Sequence, residues 1–232
     1  CEHGGNEVPP AFAPLFDDRR SLLSSHRGWD PGALELAREL AQAFGASCFA
    51  STTTRLLVDL NRSVGHKHQF SEITRPLSRS ARQDILAVHY RPYREAIERE
   101  VARHIAAGRS VLHVASHSFT PVLDGTVRRA DVACLYDPRR PSESALAGQW
   151  LTALARLAPG LRLRRNYPYQ GRGDGLTALL RKRFPDAAYA GIELEVNQSY
   201  VVQGGAPWVR LRSDLIEALA EARAASRMQA PP

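Results

Sequence analysis

The chain is predicted to be an α/β protein with a mixed, mostly parallel central sheet flanked by helices. Three observations predict this. Apolar runs of strand length alternate with helix-length amphipathic stretches along the 232 residues. Three of those runs, RLLVDLNR, VLHVASHS and GIELEVNQ, stay apolar until their ends and then release polar groups, the habit of strands whose carboxyl ends border a ligand crevice. No repeat or linker interrupts the alternation, so one domain is expected over 1–226, with a flexible tail over 227–232.

The elements follow in order. Cys1 is not a natural start, so residues are expected before it, with His3 ending a strand that begins upstream. PGALELARELAQAF (31–44) carries Leu34, Ala37, Leu40, Ala41 and Phe44 at helical spacing, with Pro31 suited to the first turn. SCFAS (47–51) and RLLVDL (55–60) read as strands, and the polar stretch 63–79 as a surface loop. Residues 81–107 predict a long helix that Pro92 kinks or splits. SVLHVAS (110–116) and DVACLY (131–136) read as strands. SESALAGQWLTALARLA (142–158) reads as a helix capped by Ser142. LRLRRN (161–166) is a predicted strand, GLTALLRKRF (175–184) a helix, YAGIELEVNQ (189–198) a strand and 208–226 a final helix.

Composition narrows the function. With 44% hydrophobic and 24% charged residues, the chain can bury a sizeable core. It has no apolar run long enough to span a membrane. Its three cysteines are odd in number and widely spaced, which predicts free thiols and a cytoplasmic setting. The net charge of +7 comes mostly from scattered arginines. No zinc finger, aromatic RNA-binding signature or long basic run accompanies it, so the expected partner is a small acidic substrate, not nucleic acid or a membrane.

The chemistry collects at the predicted strand ends. His3 and His117 lie at two of them, and two histidines plus an acid make a three-ligand zinc site with a position left for water. The acid is either Asp30, at the start of the first helix, or Glu7, four residues after His3. Glu2 is expected to point away from His3 if the strand continues through it. Glu193 and Glu195 alternate with Ile192, Leu194 and Val196, so both face one side of their strand. One is a candidate base, and the other would pair with an arginine or hold the site in shape. Arg55, Asn61 and Arg62 suit carboxylate recognition. Arg172 lies on the Gly-rich loop NYPYQGRGDG, a candidate substrate-facing loop without a dinucleotide or P-loop fingerprint. His113 reads as a core residue, and His66 and His68 as a solvated pair.

Six stretches in order, CEHGGNEVP, HRGWDPGALELA, RLLVDLNR, SHSFTPVLDG, NYPYQGRGDG and GIELEVNQ, resemble the pattern of the N-formylglutamate amidohydrolases, a family whose fold is similar to that of zinc carboxypeptidases and aspartoacylases (phosphorylase/hydrolase-like). The resemblance covers essentially the whole chain. It implies one zinc ion on His3, Asp30 and His117, with Glu7 as the alternate acid. Those relatives carry their metal glutamate three residues after the first histidine, where this chain has Asn6. The resemblance also implies that Asn61 and Arg62 grip the substrate's α-carboxylate; Arg172 and Glu193 join the expected substrate-binding set from the reading of their own segments. Arg55 would polarise the scissile carbonyl, and Glu195 would take a proton from water as the general base. The implied activity is hydrolysis of an N-formylglutamate-like amide to formate and glutamate. The alternatives are a carboxypeptidase-like hydrolase of a peptide or other N-acyl amino acid, and a non-catalytic binding module on the same fold.

Overall fold

A computed structural model of the chain describes residues 1–228. A 3-10 helix (Pro10–Phe16) and a single helical turn, α1 (Arg20–Leu23), precede α2 (Ala33–Phe44). After a long irregular stretch come α3 (Arg79–Ile85) and α4 (Arg91–Ala106). Strand β1 (Val111–Phe119) leads through a small hairpin, β2 (Val122–Leu123) and β3 (Thr126–Val127), to β4 (Val132–Leu135). Then follow α5 (Pro141–Leu157), β5 (Leu163–Arg165), α6 (Leu176–Arg183), β6 (Tyr189–Asn197), α7 (Gln198–Gln203) and α8 (Gly205–Met228).

The main sheet has the order β1-β6-β4-β5. β1 runs parallel to β6 and β4 parallel to β5, while β4 and β6 are antiparallel. Two of the three pairings are therefore parallel, and helices cover both faces. On one face Ile192, Leu194 and Val196 of β6 pack with Leu36 and Leu40 of α2, Trp150 and Leu154 of α5, and Leu215 and Leu219 of α8. On the other, Tyr189 packs with Ile97 and Val101 of α4 and Leu176 and Leu180 of α6. Alternation along β6 thus sends its even-numbered residues to the first layer and its odd-numbered ones, including Glu193 and Glu195, to the second.

Several expected boundaries move, each for a physical reason. RLLVDL is not a strand. Leu56, Leu57, Val58 and Leu60 are buried against Phe16, Ile85, Leu86 and Tyr90 in a series of turns. Side chains answer its backbone: Thr74 Oγ1 donates to the Leu57 carbonyl (2.9 Å) and Arg94 to that of Leu60 (2.8 Å). SCFAS is likewise extended without being a strand, since its backbone pairs only with a turn at the start of the chain, through Ser51 N to Cys1 O (3.0 Å) and Gly4 N to Ser51 O (2.9 Å). His3 therefore sits in that turn and not at a strand's end, and His117 lies within β1 instead of following it.

The long helix runs on past Pro92, with helical backbone at every junction. A π-helical segment, Leu86–Tyr90, joins α3 to α4, and Pro92 stands in the first turn of α4, where its missing N–H costs nothing. Ser142 does not cap α5. Arg140 takes that place with Pro141 as the first helical residue, and Ser142 donates from both its backbone N and its Oγ to Asp186. α8 begins at Gly205 and runs through Met228, into the expected 227–232 tail, and the rest of that tail lies outside the described residues.

Candidate active site

Register places the first pair of polar residues. In the parallel ladder His117 of β1 stands opposite Glu195 of β6, and Ala115 opposite Glu193. On the far side of β6 the partner of Glu195 is Ala133. Each glutamate thus has one alanine beside it, Ala133 next to Glu195 and Ala115 next to Glu193. Both point to the side of the sheet occupied by α6, where Thr177 Oγ1 donates to Glu193 Oε1 (2.6 Å).

Loops bring in the rest. Asp30 N donates to the His3 carbonyl (2.9 Å), which ties the start of the chain to the segment before α2. Gly32, between them and the helix, has φ +78°, and a Cβ there would come within 2.5 Å of Val201 Cγ2. Only glycine suits that position, and it lets α2 close on the β6–α8 side while Asp30 faces the cleft. Asp30 is accordingly not the cap of α2, which starts at Ala33 after Gly32.

The convergence is tight. One ligand atom from each of His3, Asp30 and His117 lies within 4.8 Å of the other two, and all three residues are buried. Asp30 Oδ2 is 2.9 Å from His117 Nδ1 and 3.3 Å from His3 Nδ1. Its other oxygen, Oδ1, accepts from Arg55 Nη1 (3.3 Å). Asp59 completes a second contact with His3: its Oδ1 lies 2.8 Å from His3 Nε2, and its Oδ2 accepts from Arg55 Nη2 (2.7 Å). Asp59 Oδ1 also accepts from the Asn61 backbone N (2.9 Å), so the turn after RLLVDL is built around that carboxylate.

The charges tune one another. Burial works against ionisation of Asp30, yet His3, His117 and Arg55 hold its carboxyl well below the usual range. Asp59 behaves likewise, with burial opposed by Arg55 and His3. Burial disfavours a charged His117, but its contact with Asp30 and the nearby Glu2 and Glu195 carboxylates raise it to about 10. Burial pushes Glu195 up to about 8 although His117 pulls the other way. Glu195 is 5% exposed, and its Oε2 has no hydrogen-bond partner among the described residues.

These residues line one cleft of about 830 Å³, within the range of small-molecule sites. Arg55, Asn61, Arg62 and Glu193 line it too. Asn61 is partly committed to structure, its Oδ1 accepting from the Leu176 N at the start of α6 (2.8 Å). Arg62 uses Nη1 on the carbonyls of Asn61 (3.0 Å) and Asp174 (3.1 Å).

Two candidates fall outside. Arg172 is exposed and does not line the cleft; its loop neighbours Gly173 and Asp174 do. The reason is Gly171, pressed so closely on Leu135 and Tyr136 that a Cβ would meet Tyr136 N at 2.0 Å, which fixes the turn that leaves Arg172 in solvent. Glu7 is exposed and its carboxylate accepts from Thr52 Oγ1 (2.6 Å), while its backbone bridges Thr53, so it is spent outside the cluster and Asp30 is the acid that meets the histidines. Glu2, expected to point away, is buried with Oε2 3.4 Å from His117 Nε2. A turn, not a strand, carries residues 1–4, so strict alternation does not apply to it. Sequence reasoning gave neither Glu2 nor Asp59 a role, though both stand beside residues it selected.

The donor set suits a divalent cation. Two imidazoles and a carboxylate converge from separate segments, and both histidines turn Nδ1 toward the same Asp30 oxygen.

No curated protein matches the chain. A gene product of Agrobacterium tumefaciens, known from its crystal structure, is 28% identical and superposes with a TM-score of 0.84 over 98% of this chain and 90% of that one. The crystal structure of N-formylglutamate amidohydrolase from Ralstonia eutropha is 17% identical, with a TM-score of 0.66 over 98% of this chain and 92% of that one, a likeness of fold. The family model of N-formylglutamate amidohydrolase matches residues 1–202, and with the fold and the clustered polar residues in agreement, the chain belongs to that family of amidohydrolases.

Proposed function

We propose that this chain hydrolyses the amide bond of an N-formylglutamate-like N-acyl amino acid, releasing formate and glutamate, and that a divalent cation held by His3, Asp30 and His117 takes part. One observation carries the reading: the triad of potential ligands converges beside Glu195 at the floor of an arginine-lined cleft.

Bound there, a cation such as zinc would acidify water and polarise the acyl oxygen. The chain's own residues do the rest. Glu195 accepts the proton of the attacking water and delivers it to the departing amine. Arg55, anchored on Asp30 and Asp59, has its side chain 25% exposed to the cleft and supports negative charge as it develops on the acyl oxygen. Arg62 and Asn61 hold the α-carboxylate. A cleft of about 830 Å³ also leaves space for a larger acyl group or a short peptide, which favours a second reading as a carboxypeptidase-like hydrolase.

The test is His117→Ala. Metal content and hydrolysis of N-formylglutamate should both collapse while the far-ultraviolet circular dichroism persists. Metal retained at wild-type stoichiometry overturns the site. A release assay with N-formylglutamate, other acylated amino acids and short peptides separates the two hydrolase readings.

A further inference from the structure

The two histidines of the cluster are wired alike, except at one end. His3 presents Nδ1 to Asp30 (3.3 Å), and its Nε2 is backed by Asp59 at 2.8 Å. His117 presents Nδ1 to the same Asp30 oxygen (2.9 Å), and its Nε2 faces Glu2 Oε2 at 3.4 Å, long for a hydrogen bond. Among the described residues neither oxygen of Glu2 has a hydrogen-bond partner, and neither does His117 Nε2. Glu2 is 1% exposed.

A buried carboxylate without donors is costly, and natural chains keep one where it serves a purpose. The purpose follows from tautomer arithmetic. An imidazole that offers its Nδ1 lone pair to a cation carries its proton on Nε2. For His3 that proton points at Asp59, and for His117 it points at Glu2. We infer that Glu2 is a positioning residue for His117: it accepts a hydrogen bond from Nε2–H, holds the ring in the tautomer that leaves Nδ1 free toward Asp30, and raises the basicity of that nitrogen, as Asp59 does for His3. Carboxylates placed behind metal-binding histidines have this effect generally. The inference rests on the proposed cation site and adds to it a residue that touches neither substrate nor cation.

The experiment is a zinc titration of metal-free protein by competition with a chromophoric chelator, run on wild type, Glu2→Gln, Glu2→Ala and His117→Ala, with melting temperatures measured with and without metal. Expected is an affinity about ten- to a hundredfold weaker in both Glu2 variants, against loss of binding in His117→Ala. The gain in melting temperature on adding zinc should shrink in both Glu2 variants. Wild-type affinity in both Glu2 variants, beside a His117→Ala protein that no longer binds, overturns the role of Glu2 and leaves the site standing. Binding abolished in Glu2→Gln as fully as in His117→Ala overturns it too, since Glu2 would then be a ligand. A lower metal-free melting temperature with unchanged affinity marks a structural residue and is equally fatal. Undiminished binding in His117→Ala instead overturns the cation site itself.

Discussion

Two clusters of buried charge lie near opposite ends of β6, and they are built differently. Near its start, Glu143 is fully buried and accepts from Asp137 N (2.9 Å), Gly191 N (3.0 Å) and Arg181 Nε (2.9 Å). Arg181 in turn donates to the Gly191 carbonyl (2.7 Å), and Arg140 to that of Tyr189 (2.6 Å). Near its end, Glu195 Oε2, both Glu2 oxygens and His117 Nε2 are buried with no hydrogen-bond partner among the described residues. A network centred on a fully satisfied carboxylate tethers α5 and α6 to the sheet. An unsaturated one of similar burial holds bonding capacity in reserve, which is what a site requires.

The contrast can be broken by experiment. The largest expected effect is on Glu195→Gln, which keeps shape and removes the base: kcat should fall by about 10²–10⁴, or about 3–5 kcal/mol of barrier, with metal content and melting temperature held. Steady-state kinetics with metal analysis checks it. At the other cluster, Glu143→Ala strands Arg181 and should cost about 3–5 kcal/mol in urea unfolding while the metal stoichiometry of the folded fraction stays the same. Should Glu143→Ala cut metal binding, or Glu195→Gln unfold the chain, the division between the clusters fails. A smaller effect is expected for Arg62→Ala, with KM for a carboxylate substrate raised by about ten- to a hundredfold and kcat changed less.

The smallest effect calibrates the comparison at a half-open pair. Burial opposes ionisation of Asp131, but Arg162 outweighs it and holds the carboxyl below its ordinary value. Because the folded value is depressed, the stabilisation is present above the unfolded carboxyl's pKa and fades as pH falls through the folded one. Asp131→Asn should therefore lower stability at pH 7 by no more than about 1 kcal/mol and converge with wild type in strong acid, as urea melts across pH would record.

Much of this was legible in the sequence where period and position agree. β1, β4 and β6, and helices α2, α5, α6 and α8, follow from apolar patterning, and the alternation in IELEV correctly put Glu193 and Glu195 on one face. RLLVDL misled because an apolar run of that length reads alike as a buried strand or as a buried irregular segment, and only the side-chain donors Thr74 and Arg94, distant in sequence, decide between them. The same limit hid Glu2 and Asp59. Their value lies in which histidine nitrogen they face, and that is set by a turn at His3 and by the place of His117 in β1, not by spacing along the chain. Arg172 misled for the opposite reason: a Gly-rich loop announces a turn, but not the direction in which each side chain leaves it.

The ladder between β1 and β6 has one more implication. His117 and Glu195 stand opposite each other on adjoining strands of a hydrogen-bonded sheet, whereas His3 and Asp30 hang on irregular chain joined by the bond from Asp30 N to the His3 carbonyl and by their side-chain contact. Warming should therefore slacken the pocket unevenly, with the loop-borne half loosening while the strand-borne half still keeps its spacing. An ion clasped across that seam would act as a rivet between a rigid plate and a pliant one.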